Sequence, residues 1–222
     1  MKALRTKVST CAIALLMSCG LATTSMAGSS DFSGIYGAFT ASAGGAQIDG
    51  RHVNRGGEIN EGQVGGVFPM AGYEIGFNLP LGPVFFVTLG LSNGGGDSAA
   101  IAKVDDQNGT TDVTLHASDP TWYYIAPSIS IFDNSAVYFK FGQSQIDLKA
   151  RGDVTGSPNN IDGDIWGIGT TSIANNGLFF KTEAGAIQYD RFTLTGIAGD
   201  ANRIVEGNPL VGYGHVSIGY KF

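Results

Sequence analysis

Residues 70–91, MAGYEIGFNLPLGPVFFVTLGL, decide the fold. Every second residue from Ala71 to Leu79 is apolar, and the same alternation resumes at Phe85 after Pro80–Leu81–Gly82–Pro83. A period of two is typical of a β-strand with one apolar face, and a short Pro/Gly segment between two such runs indicates a tight turn. The stretch therefore predicts a β-hairpin with one apolar face.

The same pattern occurs twice more along the chain. One hairpin covers 120–147, and another covers 163–190 around Ala174–Asn175–Asn176–Gly177, where Asn-Gly is a strong hairpin-turn signal. Residues 32–43 and 209–222 add a first and a last strand, which brings the count to eight. The fourth strand contains Pro127, which lacks a backbone N–H, and we expect a bulge there.

Short and long connections alternate between these strands. The long segments are rich in Asp, Asn and Gly and cover 44–63, 93–119, 148–162 and 191–208. This alternation is typical of transmembrane barrels, which have short periplasmic turns and long extracellular loops. The predicted fold is therefore all-β, an eight-stranded antiparallel transmembrane β-barrel with four long extracellular loops.

Side-chain size indicates which face of the barrel points outward. The apolar face carries large, aromatic or β-branched side chains and no charge, whereas the opposite face carries Gly, Ser, Thr, Asn and a few charged residues. A lipocalin-like soluble barrel would place the apolar face inside, but so polar a second face suits a narrow, packed lumen. We therefore expect the apolar face to contact lipid, where a closed barrel also leaves no unpaired strand edge.

The first 27 residues have the features of an export signal. Three bases and no acid precede the mostly apolar segment 8–22, and Ser25–Met26–Ala27 is a small-x-small cleavage site. This predicts a signal peptide over 1–27 and one barrel domain over 28–222. An alternative is lipidation of Cys19, because Leu16–Met17–Ser18–Cys19 looks like a bacterial lipobox.

Composition excludes several functions. Cys11 and Cys19 both lie in the predicted leader, so the mature chain has no disulfide and no catalytic thiol. Removal of the leader takes three of the 13 bases and none of the 19 acids, which leaves 10 against 19 and a net charge of −9. An acidic surface disfavours nucleic acid as a partner. No metal-ligand or cofactor spacing occurs, so we expect no cofactor and no metal.

The last strand ends on a terminal aromatic residue. Ile218, Tyr220 and Phe222 alternate with small or polar residues, with His215 further back. This pattern resembles the C-terminal assembly signal of outer-membrane barrels, although Ser217 stands where that pattern usually has Gly. With the leader, the whole chain resembles the eight-stranded outer-membrane barrels that include opacity-type surface antigens and the OmpA-like barrel domain. The resemblance implies a location in the cell outer membrane, with outer-membrane lipids and the barrel-assembly machinery as partners.

Four charged residues lie on the predicted lumen face at similar heights. Glu74, Lys140, Lys181 and Glu183 each stand a few residues from a short turn. Isolated charges would be costly in so narrow an interior, so we expect them to pair and plug the lumen. His215 lies on the same face, where it can join the plug and make it respond to pH. The alternative is a small gated pore.

Three functions are consistent with such a barrel. The favoured one is a structural or surface-interaction role without enzyme activity, with a possible extracellular ligand held by the loops; the second is a small passive pore. The third is a membrane-embedded lipid-modifying enzyme, because His215–Val216–Ser217 resembles the His-x-Ser pair of lipid A deacylases. The chemistry of those enzymes requires a lipid-facing site, whereas the strand register places His215 and Ser217 on the lumen face. We therefore assign no catalytic residue. Arg151–Gly152–Asp153 resembles the integrin-recognition tripeptide, but its composition is also that of an ordinary turn.

Overall fold

The computed structural model describes residues 28–53, 59–95, 97–105, 112–132, 134–152, 160–197 and 200–222. The predicted signal peptide and Cys19 lie outside these residues. Within the described part, no helix has the length and apolar character needed to cross a membrane. The elements are a short 3₁₀ helix, Ser29–Phe32, and the strands β1 (Gly34–Val53), β2 (Ile59–Pro80), β3 (Phe85–Gly94), β4 (Asp97–Asp105), β5 (Asp112–Phe132), β6 (Ser135–Gly152), β7 (Asn160–Ile173), β8 (Leu178–Tyr189), β9 (Phe192–Ile197) and β10 (Asp200–Lys221).

Eight of the strands close into a ring. The order is β1-β2-β3-β5-β6-β7-β8-β10, and β10 pairs with β1 from Tyr36↔Lys221 to Val53↔Ile204. All of these pairs are antiparallel. The predicted eight-stranded antiparallel barrel is confirmed. Strands β4 and β9 lie beyond the ring, where β4 continues the line of β3 beside β5 and β9 continues the line of β8 beside β10.

Side chains alternate between the two faces of the wall. Phe39 is 78% exposed and Ile218 54%, whereas their chain neighbours Ala38 and Ser217 are buried. The outward face matches the apolar set predicted from the sequence, so that prediction is confirmed. Its large members on the first three strands include Ile35, Phe39, Tyr73, Ile75, Phe77, Leu79 and Leu89.

The predicted Asn-Gly turn joins β7 to β8. The amide N–H of Ala174 donates to the carbonyl oxygen of Leu178 at 2.7 Å, and that of Gly177 donates to Ala174 at 2.9 Å. Gly177 has φ +87°, a left-handed conformation that glycine adopts without steric cost. The turn sequence therefore fixes where this hairpin reverses.

The strands extend far into the segments that were expected to be loops. Strand β1 continues to Val53, β2 begins at Ile59, and β4 and β9 form wholly within 93–119 and 191–208. The reason is that apolar residues such as Ile48, Leu115 and Leu194 still face inward there, between polar neighbours that hide the alternation. The segments expected to be loops are therefore mostly paired strand.

The expected bulge at Pro127 is wrong. The pairs Ile125↔Phe141 and Ser128↔Tyr138 have the same register, so proline only interrupts the ladder between them. The register shifts instead between Ser118 and Thr121, around Asp119 with φ +48°, and again between Ser130 and Phe132. One missing N–H costs a hydrogen bond, whereas a bulge requires an extra residue on one strand.

Beyond the lipid-facing band the wall divides into two sheets, which we call the outer arms. One arm is β9-β10-β1-β2 and the other is β4-β5-β6, and in the described residues no ladder joins β2 to β4. The inner faces of the two arms pack on each other and on the upper barrel. The expectation of a polar lumen is therefore wrong for this half, where the buried cluster is apolar. It comprises Ala46, Ile48, Phe68, Val113, Leu115, Ala117, Trp122, Ile146, Leu148, Ile161, Ile165, Ile187, Tyr189, Phe192, Leu194, Val211 and Tyr213.

The 3₁₀ helix covers the short-turn end of the barrel. Phe32 is 2% exposed and stacks on Phe86 with ring centroids 4.9 Å apart. The amide N–H of Ser29 donates to the carbonyl oxygen of Pro83 at 2.7 Å, and Asn78 Nδ2 donates to that of Phe32 at 2.8 Å. The N-terminal segment is thus held inside the lower opening.

Candidate functional site

Between the lower opening and the apolar cluster lies a layer of buried charges, which we call the charged network. It consists of Glu74 on β2, Lys140 on β6, Lys181 and Glu183 on β8, and His215 on β10. Each has at most 7% of its surface exposed, and Lys140 has 0%. The structure brings together all five residues that the sequence places on the lumen face.

The first ion pair crosses the lumen from β8 to β2. Lys181 Nζ lies 2.5 Å from Glu74 Oε1, and the Tyr36 hydroxyl donates to the same oxygen at 2.7 Å. The hydroxyl groups of Tyr36 and Tyr124 are 2.9 Å apart. A carboxylate held by an ammonium group and a phenol is compensated for much of its desolvation.

The second ion pair joins β6 to β8. Lys140 Nζ donates to Glu183 Oε1 at 2.9 Å. The Tyr213 hydroxyl donates to Glu183 Oε1 at 2.7 Å, and that of Tyr138 donates to Glu183 Oε2 at 2.9 Å. Both carboxylates therefore accept hydrogen bonds from lysine and tyrosine.

The ammonium groups of both lysines lie close to aromatic rings. Lys140 Nζ lies 4.2 Å from the ring centre of Tyr124 and 4.9 Å from that of Trp122. Lys181 Nζ lies 5.1 Å from the ring centre of Tyr36 and 5.3 Å from that of Tyr138. Cation–π attraction at these distances adds to the pairing, because the ammonium groups are shielded from water.

His215 is held at the edge of the network. Its Nδ1 lies 2.7 Å from Ser42 Oγ and its Nε2 lies 3.0 Å from Ser217 Oγ, while Glu74 Oε2 is 3.7 Å from Nε2. His215 and Ser217 are 3% and 1% exposed and face the lumen. A lipid substrate at the outer wall does not reach them. In the described part of the chain, no three His, Cys, Asp or Glu side chains form a group that could hold a metal.

The sequence interpretation missed the role of the four tyrosines that contact the charged network. Each is paired directly across the ladder with an inward-facing glycine, and a Cβ at Gly76 would lie 2.6 Å from ring atoms of Tyr36. Because glycine has no side chain, the tyrosine ring can lie over the neighbouring strand and reach the centre of the lumen. One sequence signal could have identified this role. It is a tyrosine and a glycine on the lumen faces of adjacent strands, close to the charged residues. The pairs are Tyr36↔Gly76, Tyr124↔Gly90, Tyr138↔Gly169 and Tyr213↔Gly185.

The outer arms carry a polar cleft of about 690 Å³. Arg51 Nε donates to Glu206 Oε2 at 2.8 Å, and Arg191 Nη1 lies 3.5 Å from the same oxygen. The hydrogen bond from Arg51 lowers the pKa of Glu206 below its ordinary value. Of the tripeptide that resembles an integrin motif, Arg151 and Gly152 end β6 on the exposed surface, and Asp153 lies outside the described residues.

The residues of the predicted assembly signal lie on the lipid face of β10. Ile218 is 54% exposed and Tyr220 48%, and Phe222 follows the strand at 79%. The rings of Tyr220 and Phe222 are 5.4 Å apart, edge to face. The role of these residues in assembly stays a prediction.

Comparison with known proteins identifies the fold. No family model matches the chain, and no curated protein is detectably similar in sequence. OprG, an outer-membrane protein from Pseudomonas aeruginosa, has a TM-score of 0.51 at 12% identity over 86% of this chain and 96% of its own. AlkL, an outer-membrane protein solved in DMPC bilayers, has a TM-score of 0.48 at 13% identity over 91% and 95%. Ail, the attachment invasion locus protein of Yersinia pestis, has a TM-score of 0.39 at 10% identity over 82% and 98%.

The chain thus has the fold of an outer-membrane β-barrel. At 12% identity the likeness to OprG shows the fold alone. The band of exposed Ile, Leu, Phe and Tyr around a closed barrel requires contact with lipid. Fold and exterior together place the protein in the outer membrane, with its short turns toward the periplasm.

Proposed function

We propose that this barrel is closed to solutes and serves a structural or surface-interaction role through its outer arms, without enzyme activity. The observation that carries the proposal is the presence of two buried ion pairs in the lumen, Lys181–Glu74 and Lys140–Glu183. Each charged group in these pairs has an oppositely charged partner within hydrogen-bonding distance. Neither pair therefore needs water or a permeating ion to neutralise it.

The layers above and below the charged network support a closed lumen. Phe32 and Phe86 fill the periplasmic opening, and the apolar cluster fills the outer half. A hydrated ion would have to displace an apolar layer, then break charge-assisted hydrogen bonds. An eight-stranded barrel is also only wide enough for its interior to be filled by side chains.

The outer arms support a role at the cell surface. They extend beyond the lipid-facing band and carry the polar cleft around Arg51 and Glu206. Such projecting, polar surfaces are where an extracellular partner would contact a barrel whose lumen is filled. The inward position of His215 and Ser217 further supports a function other than lipid modification.

Swelling of proteoliposomes in arabinose tests the closed lumen. We expect vesicles with the purified barrel to swell no faster than protein-free vesicles, whereas vesicles with an open porin swell rapidly. Heat-modifiable gel migration confirms that the reconstituted protein is folded. Swelling that rises in proportion to the amount of folded barrel would contradict the proposal and favour the passive-pore alternative.

A further inference from the structure

His215 belongs to the charged network but takes part in neither of its two ion pairs. Ser42 Oγ lies 2.7 Å from Nδ1 of the ring, and Ser217 Oγ lies 3.0 Å from Nε2. A neutral imidazole has one donor and one acceptor nitrogen, and two hydroxyl groups can satisfy both in either tautomer. With His215 neutral, two lysines and two glutamates leave the network without net charge. A proton on His215 would therefore give the network one excess positive charge.

The groups around the imidazole come from several strands. Glu74 Oε2 on β2 lies 3.7 Å from Nε2, and Glu183 on β8 is the ladder partner of His215. The ring of Trp122 on β5 lies 5.6 Å from the imidazole, and Lys140 Nζ lies 4.9 Å from the centre of the Trp122 ring. The other titratable residues of this layer are Tyr36 on β1, Tyr124 on β5, Tyr138 on β6, Lys181 on β8 and Tyr213 on β10. A charge on His215 would thus act on both ion pairs.

The Glu74 carboxylate lies between Lys181 and His215. Its Oε1 atom accepts from Lys181 at 2.5 Å and from Tyr36 at 2.7 Å, whereas Oε2 faces the imidazole at a distance too long for a hydrogen bond. Protonation makes both ring nitrogens donors and gives the ring a positive charge, so the carboxylate is then attracted by two cations. Movement of Oε2 toward Nε2 would form a second ion pair and lengthen the contact with Lys181.

Lys181 has space into which it can turn away from Glu74. It lines a cavity of about 20 Å³ between the charged network and the 3₁₀ helix, a volume that suffices for about one water molecule. Thr88 and Ser128 also line this cavity, and each hydroxyl group donates to another protein oxygen, so it can accept from an ammonium group. We propose that His215 is a proton-operated switch, whose protonation draws Glu74 away from Lys181 and loosens the lumen. This inference rests on the closed lumen of the proposed function.

Fluorescence of Trp122 reports the charge on His215, because a protonated imidazole quenches a nearby indole. Trp166 is the other tryptophan of the chain and faces lipid, so Trp166→Phe leaves Trp122 as the reporter. Histidine is the side chain whose charge changes between about pH 8 and 5. We expect a reversible loss of fluorescence over that range in lipid vesicles. His215→Gln, which keeps an uncharged donor and acceptor for the two serines, should show no such loss.

Carbon-13 NMR of the histidine ring measures proton binding independently. The chain has three histidines, so a barrel with His52→Gln and His116→Gln retains only the ring signals of His215. We expect these signals to shift from the neutral to the charged form as the pH falls. The measurement needs no substitution in the charged network.

Planar-bilayer conductance tests whether the proton loosens the lumen. Wild-type barrel should be closed at about pH 7.5 and show brief openings at about pH 5, whereas His215→Gln should stay closed at both. His116→Gln is the matched control, because it removes a histidine from β5 in an outer arm. It should keep the openings at low pH.

Trp122 fluorescence that does not change with pH, or that changes equally in His215→Gln, would overturn the proposal. Protonation of His215 without openings at low pH would overturn the switch and leave the closed lumen intact. Conductance that is already present near neutral pH and does not rise on acidification would overturn the closed lumen, and the switch with it. If gel migration shows that His215→Gln does not fold, the NMR titration and the wild-type conductance decide the question.

Discussion

Lys140 has no exposed surface and lies between Glu183 and the rings of Tyr124 and Trp122. Replacing it with Ala removes one partner of a buried ion pair and leaves the Glu183 carboxylate with tyrosine donors alone. We predict that Lys140→Ala lowers the free energy of unfolding by about 3–5 kcal/mol, the usual cost of an uncompensated buried charge. The measurement is urea unfolding of the barrel in lipid vesicles.

The matched control removes both charges. In Lys140→Met with Glu183→Gln, the amide oxygen can accept from one of Tyr138 and Tyr213 and the amide NH2 can donate to the hydroxyl oxygen of the other, and no charge is left alone. We expect this double variant to unfold closer to wild type than Lys140→Ala does. Equal destabilisation of the two proteins would mean that packing around Lys140, not its pairing, carries the stability.

The charged residues of the network could be predicted from the sequence, but not their individual partners. Alternation puts Glu74, Lys140, Lys181 and Glu183 on the lumen face, and distance from the turns puts them at similar heights. Which lysine pairs with which glutamate depends on the positions of the strands in the closed barrel. The sequence alone does not give these positions. The structure pairs Lys181 with Glu74 across the lumen and Lys140 with Glu183 between near strands.

The strands provide the space that the tyrosines need. A Cβ on Gly76 would lie 2.5 Å from Tyr36 Oη, so Gly76→Ala must tilt the ring away from Glu74. We predict a loss of about 1–3 kcal/mol, as for other overpacked interiors. The control is Gly214→Ala on the lipid face, where a Cβ meets nothing within 4 Å. Urea midpoints of the two variants should differ clearly, and identical midpoints would refute the role of the glycine.

Strand existence was easier to predict than strand length. Large side chains such as Tyr73, Phe77 and Leu89 make the alternation obvious where lipid covers one face. In the arms most outward positions are polar or glycine, so inward residues such as Ile48 and Leu194 look isolated in the sequence. Their packing partners lie on the opposite arm. The local sequence therefore does not show that these residues are buried, because their burial depends on tertiary structure.

At the scale of the whole molecule, the apolar band sets which part of the barrel lies in lipid, and the short turns are expected to face the periplasm. The mature chain is predicted to lack cysteine, so single cysteines can report exposure. Gly62→Cys lies in an outer arm with open space for the side chain, and Asn175→Cys lies in the β7–β8 turn. A membrane-impermeant maleimide should label the first in intact cells and the second only after lysis. Labelling of Asn175→Cys in intact cells would invert the orientation.

The closed lumen is the central claim, and planar-bilayer conductance tests it most directly. Wild-type barrel should show no steady conductance, because paired charges and apolar layers fill its interior. Lys140→Ala should produce brief openings as the network loosens, and Lys140→Met with Glu183→Gln should stay quiet. A large, steady wild-type conductance that Lys140→Ala leaves unchanged would contradict the account, since the charges would then line an open path.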